Sequence, residues 1–115
     1  MKRIRKVIKS FPHAFRGLRH AFRGGMNFRI MVYAATAAII VLGAKPIPPS
    51  YKIGVVLAGA LLLIVELINT AVERMMDILL PAEREEIKHI KDMMAGAALI
   101  ASVCWLIVVA LALAA

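Results

Sequence analysis

Three apolar segments separated by short polar joints leave this chain few ways to fold in water. They run over about 30–48, 53–73 and 93–114, each close to the roughly 20 residues an α-helix needs to cross a hydrocarbon core. A bilayer offers no water to the backbone, so segments of this kind predict helices, whose hydrogen bonds are internal. With 62% hydrophobic residues in 115, the chain is too apolar for a soluble domain and too short for two domains. The first segment is the shortest: Ile30 to Ala44 precede Lys45, after which Pro46, Pro48 and Pro49 predict a stiff turn.

Charge is distributed unevenly over this frame. All seven acidic residues lie between Glu66 and Asp92, whereas nine of the fifteen lysines and arginines fall within the first 29 positions. Beside membrane spans, such a basic cluster marks the cytoplasmic side and attracts anionic headgroups, a simpler use than nucleic-acid binding. Ile4, Val7, Ile8, Phe11, Phe15, Leu18 and Phe22 recur there at helical spacing, which predicts an interfacial amphipathic helix over 1–24. Pro12 is expected to divide or bend it, and Gly24-Gly25 to end it. A cleaved signal peptide fits poorly, because arginines and phenylalanines interleave to residue 23 without an uninterrupted apolar core.

The joint KPIPPSYK carries Lys45 and Lys52, while the 74–92 loop carries Arg74, Arg84, Lys88 and Lys91. Counting positive charge places the N-terminus and that loop in the cytoplasm, with the proline turn and the C-terminus outside. The expected location is a bacterial cell membrane, crossed three times. Cys104 is the single cysteine, so no intrachain disulfide forms, and it reads as a packing residue.

The informative stretch is VELINTAVERMMD, residues 65–77. Glu66, Asn69, Glu73 and Asp77 stand at i, i+3, i+7 and i+11, on one helical face at the cytoplasmic end of the second span. Acids within a span cost about 2–3 kcal/mol each on insertion scales, so they usually face a protein interior or a functional site. The plainer reading lets the glutamates snorkel to the interface or pair with Arg74 and gives Asn69 an interhelical hydrogen bond. Read chemically, the ladder could hold a divalent cation, accept a proton from a hydroxyl or bind a cationic substrate. Its oxygen ligands favour Mg²⁺ over zinc, since His13, His20 and His89 lack ligand spacing. Glu66, the deepest acid, suits proton abstraction. No Walker-type glycine loop is present.

VELINTAVERMMD together with KDMMAGAALI from Lys91 closely resembles the prokaryotic diacylglycerol kinase family, which includes undecaprenol kinases. The likeness extends to FPHAFRGLRHAF, similar to the family's surface helix, and to NFRI, similar to the start of its first span. The resemblance implies an all-α membrane protein with an N-terminal amphipathic surface helix and three transmembrane helices. It implies a homotrimer whose active sites are shared between subunits, with the small residues Ala95, Gly96, Ala97 and Ala98 allowing close approach. It further implies an ATP-dependent lipid kinase: Glu66 as catalytic base, Glu73 as ligand of the nucleotide's Mg²⁺, Asn69 and Asp77 as active-site support, Lys91 and Asp92 as nucleotide contacts. ELINTA with KDMMAGA looks more like the undecaprenol kinase branch than the diacylglycerol branch.

One departure bears on activity. Where the family carries a second metal-binding glutamate, two residues before the asparagine of NFRI, this chain has Gly25, and Met31 replaces the usual polar residue after RI. Asn27, Glu83, Glu85 and Glu86 are the residues that could compensate. The alternatives are a catalytically impaired homologue acting in lipid binding, and a small exporter exchanging protons for cations. An exporter of that kind needs an acid in an early span, and the first 65 residues contain none.

Overall fold

The computed structural model describes residues 1–80, 82 and 84–115. The described residues form four helices: α1 (Lys2–Gly24), α2 (Met26–Gly43), α3 (Pro49–Leu79) and α4 (Glu85–Ala114). The last three are long and apolar enough to cross a membrane. α3 packs mainly on α4 and next on α2, while α1 packs on α2. The innermost cluster, Leu42, Ile47, Val55 and Ala112, lies at the proline-turn end of the bundle.

Helix ends explain where the elements stop. Pro49 opens α3 at a first-turn position, where its missing N–H costs nothing, so the helix begins four residues before the apolar run at 53. α2 closes at Gly43 rather than continuing to 48. Lys52 Nζ donates to the carbonyl of Gly43 and Lys45 Nζ to that of Leu113, each at 3.0 Å. Both lysines of the proline joint thus satisfy C-terminal carbonyls, of α2 and α4, and sit against the negative ends of those helix dipoles.

At the opposite end, the region expected as a 74–92 loop is mostly helix: α3 runs to Leu79 and α4 starts at Glu85. With 31 residues, α3 is about 46 Å long, against a hydrocarbon core of roughly 30 Å. That excess length carries the run from Glu66 to Asp77 toward the end of the apolar bundle.

α1 continues through Pro12 without being divided. Gly25 alone separates it from α2, with φ −124° and ψ 114°, an extended conformation open to any residue. Arg29 fixes this corner. Its Nε donates to the carbonyl of Phe22 at 3.1 Å and Nη2 to that of Arg23 at 3.0 Å, satisfying the exposed end of α1. The guanidinium also lies 5.7 Å from the Phe22 ring centre, and that ring meets Tyr33 edge-on at 5.8 Å.

Within one chain, the close approach of α3 to α4 is made at glycines of α3. A Cβ at Gly96 would meet nothing within 4 Å, whereas one at Gly59 would lie 3.5 Å from Trp105 and one at Gly54 3.4 Å from Val108. Glycines of α3 therefore set its spacing from α4. Cys104, expected to pack, is exposed on α4.

Candidate active site

A polar cavity of about 250 Å³ opens where the α1–α2 corner meets the C-terminal half of α3. Glu66, Asn69, Glu73 and Asp77 all line it, as their shared helical face requires. Gly24, Gly25 and Asn27 form the facing wall. The four α3 residues differ sharply in burial: Glu66 is 4% and Asn69 9% exposed, while Glu73 and Asp77 are open to solvent.

Burial makes the inner pair the demanding part of the site. Asn69 and Glu73 both lie within electrostatic reach of the Glu66 carboxylate. Asn69 Oδ1 is buried with no partner among the described residues, and an unsatisfied buried acceptor costs about 1–3 kcal/mol. Such a cost persists where a ligand supplies the missing partner. Thr70 turns its hydroxyl back onto the carbonyl of Glu66 at 2.9 Å.

α4 reaches the site through Lys91, whose Nζ lies 2.7 Å from Asp77 Oδ1. Neither Lys91 nor Asp92 lines the cavity itself, and Asp92 is exposed. Glu85 and Glu86 stand in the first turn of α4, also away from the cavity, and Glu83 lies outside the described residues. Of the residues weighed as substitutes for a carboxylate at 25, Asn27 alone among those described borders the cavity.

Arg74 does not make the pairing that the plainer reading offered as one possibility. Among the described residues it forms no ion pair with Glu66, Glu73 or Asp77. Its Nη1 donates instead to Nε2 of His20 on α1. Sequence spacing offered no signal for this contact, which joins residues 54 positions apart.

A second cavity, of about 640 Å³ and almost wholly apolar, runs between α1 and α3 past Leu18, Ala21, Leu67, Ile68 and Ala71. The two cavities share Thr70 and Arg74 on their walls. An apolar channel and a polar cavity thus adjoin near Glu66.

The oxygen donors present fit a magnesium ion delivered with a polyphosphate. Glu73, exposed on the cavity wall, is such a donor, while no group of three or more acidic, histidine or cysteine ligands occurs among the described residues. Magnesium commonly takes only one or two carboxylates and completes its shell with phosphate oxygens and water.

Fold and site define a class: a small all-helical membrane protein with a charged cavity at one end of its hydrophobic helices. The sequence model of the family described as prokaryotic diacylglycerol kinase matches residues 12–113. A diacylglycerol kinase of Synechocystis sp. is 32% identical over 103 residues, covering 89% of this chain and 59% of that protein. This chain therefore spans about three fifths of that relative's length. The chain belongs to the prokaryotic diacylglycerol kinase family.

Proposed function

We propose that this chain is a lipid kinase that transfers the γ-phosphate of ATP to the hydroxyl of a membrane lipid, undecaprenol in preference to diacylglycerol. The observation that carries this reading is the junction of an apolar cavity with a carboxylate-lined one beside buried Glu66. A lipid chain can lie between α1 and α3 while its hydroxyl reaches Glu66, and the charged nucleotide approaches from the solvent-exposed side of Glu73 and Asp77.

Glu66 removes the hydroxyl proton as the lipid oxygen attacks the γ-phosphorus. The bond from that phosphorus to the bridging oxygen breaks, its electron pair leaves with ADP, and the lipid gains a phosphomonoester. Asn69, beside the Glu66 carboxylate, keeps it in place, which matters because positioning supplies much of the catalysis in phosphoryl transfer. Glu73 would hold Mg²⁺, which when bound neutralises charge on the phosphates. Asp77 fixes Lys91, whose ammonium suits the nucleotide phosphates, and Asp92 suits a sugar hydroxyl.

Partners follow from the same reading. Within one chain Asp92 stays outside the cavity, which suits a homotrimer with sites shared between copies. Exposed apolar residues such as Leu99, Ile100 and Val103 leave α4 a face for a second copy or for lipid. α1, with its basic residues, lies as an amphipathic helix on the cytoplasmic leaflet and engages anionic headgroups. Gly25 is the observation favouring a second reading, an impaired homologue that binds lipid.

The test is phosphate transfer from labelled ATP to undecaprenol and to diacylglycerol in detergent micelles with Mg²⁺. Transfer by the unsubstituted protein that is lost in Glu66→Gln supports the kinase, and the better acceptor names its substrate. Transfer by Gly25→Glu alone supports the impaired homologue. Absence of transfer from both would sink the kinase reading.

A further inference from the structure

Arg74 lines both cavities, yet the chemistry above gives it no part. Three carboxylates around one small space would repel a triphosphate, so a nucleotide there needs cationic partners beyond its own metal ion. Lys91 is engaged by Asp77 at the α4 side. Arg74 stands at the other side, where the apolar cavity meets the polar one.

Its surroundings leave the guanidinium charged and without a salt bridge among the described residues. Three acids share its cavity, but among the described residues none pairs with it. The partner it does have, His20 Nε2, accepts from Nη1 only when that nitrogen carries no proton, and so leaves the positive charge intact. Meanwhile Nη2 lies over Gly24, where an added Cβ would collide with it. Glycine at 24 therefore leaves room for the guanidinium in its present position against α1.

We infer that Arg74 contacts the γ-phosphate of the bound nucleotide, acting as a catalytic residue particular to this arrangement. His20 is its positioning residue. A guanidinium presents two parallel N–H donors that match phosphate oxygens, and charge there is stabilised as the phosphoryl group passes between oxygens. The assignment rests on the kinase reading, but it is decided by binding rather than by turnover.

The experiment compares ATP and ADP binding by equilibrium dialysis in micelles with Mg²⁺, for the unsubstituted protein, Arg74→Ala and Arg74→Lys. Contact with the γ-phosphate predicts that Arg74→Ala weakens ATP binding roughly 10- to 100-fold and leaves ADP binding nearly unchanged. Arg74→Lys should retain part of the preference for ATP, because charge remains without the fork. Equal weakening for both nucleotides, or unchanged ATP binding, overturns the assignment. A protein that binds ATP but transfers no phosphate loses the kinase reading, while the ATP and ADP comparison still decides the role of Arg74. If neither nucleotide binds the unsubstituted protein, both proposals fall.

Discussion

The ammonium of Lys91 on α4 donates to the carboxylate of Asp77 on α3 at 2.7 Å, across 14 residues of sequence. This bond ties together the two stretches on which the family resemblance rests. It does so at a partly exposed position, where an ion pair contributes only about 0.2–1 kcal/mol. Its value is therefore in placing Lys91 beside the cavity rather than in holding α4 to α3.

Asp77→Asn should accordingly change thermal stability in detergent by less than about 1 kcal/mol. ATP affinity should fall several-fold, as Lys91 loses its fixed position. A large stability loss with unaltered ATP affinity would reverse these roles.

Glu66→Gln keeps the size of the side chain but cannot take up a proton. Lipid phosphorylation should drop by about 10²-fold or more, with ATP binding by dialysis unaffected. Retained turnover would remove Glu66 from the role of base.

Gly25 adopts a conformation that any residue can use, with a tight contact of 3.1 Å between an added Cβ and the Ala21 carbonyl. Gly25→Glu should therefore fold. With a carboxylate added on the wall facing Glu73, the Mg²⁺ concentration giving half-maximal phosphorylation should fall about tenfold, as expected for one added oxygen ligand. An unchanged Mg²⁺ dependence would mean that position 25 takes no part in metal binding.

Arg29→Ala removes both bonds that cap α1, at 3.1 and 3.0 Å. Hydrogen bonds to charged groups contribute about 1.5–3 kcal/mol each when shielded, and less where exposed. Amide hydrogen exchange around Arg23–Gly25 should speed up while α3 exchanges as before. Identical exchange in both proteins would show that the corner is held by something else.

Part of this site is legible in the sequence because helical periodicity is a local property. Glu66, Asn69, Glu73 and Asp77 lie on one face of any straight helix, and α3 brings all four to one cavity. What faces them is a different matter. Arg74 reads as a partner for neighbouring glutamates from spacing alone, but α1 docks close enough for His20 to take that contact. Likewise spacing alone does not single out Gly54 and Gly59 as the residues that set the distance between α3 and α4. Small residues permit approach, and only packing selects which are used.

The sequence by itself determined an all-helical chain with three membrane-length helices and a polar face on the second, because apolar length and helical period are set by local backbone hydrogen bonding. Only the tertiary structure decided how the charges around that face are arranged. The α1–α2 corner, held by Arg29, brings Gly24, Gly25 and Asn27 against α3, and the packing of α4 delivers Lys91 to Asp77. Contacts between residues far apart in sequence depend on how whole helices pack, and no local period encodes that.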